Sequence, residues 1–132
     1  MPRLLVAALA VLVAGGCATT RPASERDALV GRWDMERIYD GGQDVSIVQN
    51  PRRDRYITLR PGGSFESGGR PYGRNTGRWT YDPDADVLAL DSDQGAANDS
   101  RWRVSLRGDV MEWRGVGSAF AERFRIVARR AG

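Results

Sequence analysis

The chain has 132 residues, a formal net charge of +3 at pH 7, one cysteine and no histidine, and all 20 of its basic residues are arginine. That inventory excludes Ser-His-Asp and Cys-His pairs, a Schiff-base lysine, a histidine metal site and an internal disulfide. The charge is too mild for a polyanion-binding face, so nucleic acid is not an expected partner, and the all-arginine bias reads as genome composition.

The first element in chain order is a secretory leader. Arg3 and the α-amino group precede an apolar run from Leu4 to Ala14, followed by Gly15-Gly16-Cys17. The run is too short to span a bilayer, which takes roughly 20 residues. Ala14-Gly15-Gly16-Cys17 resembles the lipobox of bacterial lipoproteins, in which small residues precede an obligatory cysteine, with Ala14 standing where that family usually carries Leu. The resemblance implies cleavage before Cys17, a diacylglyceryl thioether on its sulfur and acylation of the new amine. Two or more acyl chains anchor stably where one binds only marginally. Ala18, in place of Asp, implies by the same resemblance the outer membrane, facing the periplasm.

Three segments follow: a signal peptide over 1–16, a lipidated end and polar tether over 17–28, and one folded domain over 29–132. The stretch from Thr19 to Ala28 is small and polar, with Pro22, and suits a short tether. Beyond it, aromatic and β-branched runs separated by Gly, Pro, Asp and Asn predict antiparallel strands at 30–39, 54–60, 64–68, 76–82, 86–91, 100–106, 109–114 and 120–128. No amphipathic helix is predicted. Ile57 and Leu59 alternate with Tyr56 and Thr58, Trp79 and Tyr81 with Arg78 and Thr80, and Trp102, Val104 and Leu106 with Arg101, Arg103 and Ser105. Such alternation puts one face in a core and the other in water.

The connections alternate in length. Pro61-Gly62-Gly63, Asp82 to Asp86 and Arg107-Gly108-Asp109 are tight, whereas Asp40 to Arg53, Gly68 to Asn75, Ser92 to Asp99 and Gly115 to Ala119 are long. In a meander, alternate connections lie at opposite ends. The expected fold is therefore all-β, a small eight-stranded antiparallel up-and-down barrel closed tightly at one end and carrying its long loops at the other, with a two-sheet sandwich as the alternative. Outward-facing Arg and Thr argue against a membrane-spanning barrel.

Leu29-Val30-Gly31-Arg32-Trp33 resembles the Gly-x-Trp opening of lipocalins and bacterial lipocalin-like domains, and the blocks Tyr56 to Phe65 and Gly77 to Asp82 resemble that bacterial group as well. The resemblance spans residues 29–128. It implies a lipocalin-like barrel in which Trp33 packs across the closed end beneath an arginine of the last strand, for which Arg125 and Arg129 are the candidates. The chain departs from lipocalins in lacking the long carboxy-terminal helix and the disulfide.

Trp79, Tyr81, Trp102 and Trp113 are candidates to line an apolar ligand pocket, though a core this small calls on aromatics for packing too. Arg52, Arg53, Arg70 and Arg74 fall on long loops that meet at the barrel mouth, where guanidinium groups suit carboxylate or phosphate, or are simply solvated. The apolar Val45-Ser46-Ile47-Val48 within the first long loop predicts a lid over the open end. Asp82 to Asp86 and Asp91 to Gly95 superficially match calcium loops, but Val87 takes the glycine place of the first and no Glu closes either, so they read as turns and no metal or other cofactor is expected. Glu112 and Glu122 have nothing in the sequence to bring them together as an acid and base, and no enzyme is predicted. The function expected is a membrane-anchored lipocalin-like lipoprotein that holds a small apolar or amphiphilic ligand at its open end. The alternative is a filled barrel whose loops contact another envelope protein as a scaffold or inhibitor.

Overall fold

The computed structural model describes residues 24–132. Cys17, the signal segment 1–16 and the first part of the tether, 17–23, lie outside the described residues. Nine strands run β1 (Gly31–Asp40), β2 (Gln43–Asp44), β3 (Tyr56–Leu59), β4 (Ser64–Gly68), β5 (Asn75–Asp82), β6 (Val87–Ser92), β7 (Ser100–Arg107), β8 (Val110–Gly115) and β9 (Phe124–Arg130), with helices α1 (Glu25–Leu29) and α2 (Ser46–Gln49). Apart from the two-residue β2, which folds back antiparallel on the end of β1, each strand pairs antiparallel with the next, and β9 returns to β1. The result is the closed eight-stranded up-and-down barrel, not the sandwich.

Inward positions follow the alternation. Ile57 and Leu59, Phe65, Trp79, Val104, Met111 and Trp113 are buried in one core with Trp33, Leu88, Ile126 and Ala128. Trp33, Trp79, Trp113 and Phe65 are the largest of the fully buried side chains and give this core much of its apolar surface. Gly77 marks how closely strands and rings approach, since a Cβ there would sit 2.0 Å from the Asp91 carbonyl oxygen and 2.7 Å from the Phe65 ring.

The ends differ as the loop lengths require. The turns after β3, β5 and β7 gather at one end, and the excursions after β1, β4, β6 and β8 at the other. Residues 25–28, assigned to the tether, form α1 together with Leu29 of the domain, capped by the Ser24 hydroxyl accepting from Asp27 N at 3.1 Å. Leu29 is buried in the barrel core, so α1 is a plug of the closed end and the folded part begins ahead of residue 29. The last strand also starts later than expected, at Phe124, because Ala121–Arg123 forms a 3-10 turn.

The closing arginine is Arg130, not Arg125 or Arg129. Its guanidinium lies 4.3 Å from the Trp33 ring centroid and donates to the Val30 and Ala28 carbonyls at 2.8 and 2.7 Å. Arg125 instead stacks on Tyr39, and Arg129 pairs with Glu36. Strand β9 runs to Arg130 and pairs that residue with Trp33, which puts its side chain on the face where the ring lies.

Candidate functional site

The two ends divide the four tryptophans between them. At the closed end, Trp33 Nε1 donates to the Leu29 carbonyl at 2.9 Å and Trp79 Nε1 to the Arg60 carbonyl at 2.9 Å. Arg26 of α1 covers Trp79 at 4.1 Å, as Arg130 covers Trp33. Trp79 is therefore sealed core and does not line the open mouth. Tyr81 also belongs to the closed end, where its hydroxyl bonds Asp86 at 2.9 Å and reaches Glu25 of α1 at 3.4 Å. Burial, followed by these two carboxylates, pushes its phenol above the ordinary tyrosine range.

At the open end a cavity of about 130 Å³ enters the barrel between the loops. Its inner wall is apolar, with Ile57, Phe65, Leu90, Trp102, Trp113 and Ile126. Trp102 meets Trp113 edge to face with centroids 5.7 Å apart, and Trp102 Nε1 donates to Ser100 Oγ at 2.9 Å. Trp113 Nε1 is different. Among the described residues it is the buried side-chain polar atom with no hydrogen-bond partner, and leaving a donor in that state costs about 1–3 kcal/mol.

The rim is polar and one group on it is charged. Arg55, at the entry to β3, contributes the cavity's only cationic side chain, and no Asp or Glu lines it. Its guanidinium stacks 4.6 Å from the Tyr72 ring centroid and donates from NH1 to the Gln49 carbonyl at 3.1 Å, while the Tyr72 hydroxyl bonds the Gln49 side chain. Burial holds Arg55 below the ordinary arginine value, with Tyr72 opposing.

A seam positions Arg55. β1 pairs with β3 only through Gly31 to Asp34, whereas it pairs with β9 from Trp33 to Asp40, across a register irregularity between Met35 and Arg37. The gap left beside β3 is filled from the α2 loop. Buried Asn50 donates to the Met35 carbonyl at 3.0 Å and accepts from Arg55 N at 3.1 Å, and Met35 N donates to the Arg55 carbonyl at 3.0 Å. This loop is only partly the lid its sequence suggests. Val45 packs on the core, but Ile47 and Val48 point outward and are 87% and 72% exposed.

Of the expected site residues, the cavity brings together Trp102 and Trp113, while Arg52, Arg70 and Arg74 do not line it. Arg74 pairs with Glu66 at 3.0 Å, Arg52 and Arg70 are exposed, and Arg53 sits outside on the groove beside α2 with a left-handed φ of 54°. Glu112 is held by Arg114 and Arg125, whereas Glu122 stands in the 3-10 turn before β9. The acidic stretches are turns, with Asp84 N donating to Asp82 Oδ1 at 3.0 Å and Asp93 accepting from Thr76. Among the described residues, no group of three or more carboxylate or thiol side chains is arranged to hold a metal ion.

The class this geometry defines is a small closed up-and-down β-barrel, plugged at one end and hollow at the other. No family profile and no curated protein matches the sequence. Among solved structures, a DUF4847 family protein from Bacteroides vulgatus shares the fold with a TM-score of 0.57 and 14% identity, over 78% of this chain and 94% of that one. At that identity the likeness shows the eight-stranded barrel and nothing about activity.

Proposed function

We propose that this is a lipocalin-like lipoprotein of the bacterial envelope, anchored through lipid on Cys17, whose barrel binds a small apolar or amphiphilic ligand at its open end. The observation that carries the binding half is the cavity. An opening into the barrel with an aromatic floor and a polar rim is what a ligand site requires. Its volume of about 130 Å³ sets the scale. An apolar cavity of about 150 Å³ accepts benzene, whereas drug-sized ligands occupy roughly 300–1,000 Å³. The ligand, or the part of it that enters, is therefore about the size of one six-membered ring or a short alkyl chain, and a whole phospholipid does not fit.

The anchoring half rests on the lipobox-like segment and on which end α1 closes. The chain enters the domain at the plugged end, so an anchored barrel turns that end toward the lipid and its open mouth away from it. Purification of the full-length protein from its own cells, followed by native mass spectrometry, tests both halves. Acyl chains on the amino-terminal peptide and one small adduct on the domain are expected. An unlipidated Cys17 overturns the anchor, and an adduct-free domain that takes up no apolar probe overturns the ligand site.

A second reading, a scaffold or inhibitor contacting another envelope protein, draws on the apolar side chains that the open-end loops expose, namely Ile47, Val48, Tyr72 and Phe120. In-cell crosslinking from Ile47 to one discrete partner supports it, and diffuse labelling counts against it.

A further inference from the structure

We propose that the ligand is a compact carboxylic acid, its short apolar or ring-shaped body seated against Phe65, Leu90, Trp102 and Trp113 and its carboxylate on the guanidinium of Arg55. This rests on the reading that the open-end cavity is a ligand site, and specifies its chemistry.

The charge distribution carries the inference. Nine of the described arginines are met by carboxylates, among them Arg32 by Asp34, Arg37 by Asp44, Arg74 by Glu66, Arg123 by Asp40 and Arg129 by Glu36, and of the described arginines that are not so met, Arg55 is the one that lines the cavity. Arg55 has no carboxylate within ion-pair distance among the described residues, although it is less exposed than those five. A guanidinium has five N–H donors in a planar fork. The described residues take one of them, through the Gln49 carbonyl. A half-buried cation without a counter-ion is costly, and the cost is recovered when an anion arrives in the fork geometry.

The surroundings favour a carboxylate over a neutral ligand. With no Asp or Glu on the cavity wall, nothing repels an anion there. Glu66, which accepts from the Tyr56 hydroxyl at 2.7 Å, is already met by Arg74 and Arg60. Arg55 is also held in place before any ligand comes, clamped on Tyr72 and tied through its own backbone to Asn50 and Met35. Pre-ordering of that kind spares a ligand the entropy of fixing the side chain. Size then limits the body. The cavity is near the volume of one ring, so long-chain fatty acids are excluded from complete burial.

The test uses full-length protein in detergent and two matched pairs of probes, benzoate with benzamide and hexanoate with hexanamide, titrated calorimetrically at pH 7 beside toluene as a neutral filler. At least one acid is expected to bind tenfold or more tightly than its amide, and Arg55→Gln is expected to erase that preference. Equal affinity for acid and amide overturns the carboxylate assignment while leaving the cavity a binding site. A preference that survives Arg55→Gln overturns the role of Arg55. Failure of all five probes overturns the ligand site itself and this inference with it. Should Arg55→Gln not fold, the acid-to-amide ratio in the wild-type protein decides the matter alone.

Discussion

Arg130 and Trp33, 97 positions apart in the chain, are paired across the β1–β9 closure, with the guanidinium 4.3 Å above the indole and two of its nitrogens on the carbonyls of Ala28 and Val30. One side chain thus ties the last strand to the first and both to the α1 plug. Arg130→Ala is expected to cost about 2–3 kcal/mol, from one partly buried cation–π contact and two charge-assisted hydrogen bonds that do not add fully. Arg130→Lys should recover less than half of that, since a point charge lacks the fork that spans two carbonyls. Urea unfolding followed by tryptophan fluorescence measures both.

The plug itself is testable through Leu29, which lies at the end of α1 with its side chain in the core. Leu29→Ala should destabilise the domain by about 2–4 kcal/mol, within the range for truncating a buried leucine. A residue in a free tether would show no effect in the same urea experiment.

Much of the barrel is legible in the sequence because period-two alternation is a local signal. Trp102, Val104 and Leu106 face inward on β7 while Arg101, Arg103 and Ser105 face out, as their spacing requires. Helix α1 is not legible: five residues with one buried side chain show no helical period, and the helix exists because Leu29, Arg26 and Arg130 find partners on distant strands. The closing arginine fails for a related reason, since choosing among Arg125, Arg129 and Arg130 needs the β1–β9 register, and that is the longest-range strand pairing in the fold. Arg55 falls inside the strand predicted over 54–60, and the sequence does not single it out. What distinguishes it is a place on the cavity wall without an acidic partner, a property of the assembled mouth and not of any spacing.

Asn50 closes the seam between β1 and β3 and thereby sets the position of Arg55. Asn50→Ala leaves the Met35 carbonyl and the Arg55 amide without their side-chain partner. It should cost about 1–3 kcal/mol. Hydrogen exchange should localise the loosening to the Arg55 amide and the α2 loop, leaving β6 to β8 protected.

The dependence of stability on pH follows from two kinds of group. Glu66 is held below its ordinary 4.5 by the Tyr56 hydroxyl and then Arg74, and Asp44 below 3.8 by the Ser46 hydroxyl and amide. Each stabilises the fold above its unfolded-state value, and that contribution disappears as pH falls through the lower folded-state value. Tyr56 is pushed above its ordinary 10.0 by Glu66, and its contribution is present below that value and lost as pH rises through the higher folded one. Among the described residues, which include neither histidine nor cysteine, no side chain titrates between these limits at its ordinary value. Urea midpoints should hold level from about pH 5 to 9, fall on both sides, and lose part of the acid limb in Glu66→Gln.

Whether the open end of this barrel takes a ligand while the tryptophans at the α1 end stay packed is read from the four indole N–H signals in a nitrogen-15 NMR titration with toluene. Trp102 and Trp113 border the cavity, whereas Trp33 and Trp79 are bonded to carbonyls at the plugged end. Saturable shifts of the Trp102 and Trp113 signals are expected, with Trp33 and Trp79 unmoved. Four unmoved signals, or shifts confined to Trp33 and Trp79, would contradict an open-end ligand site.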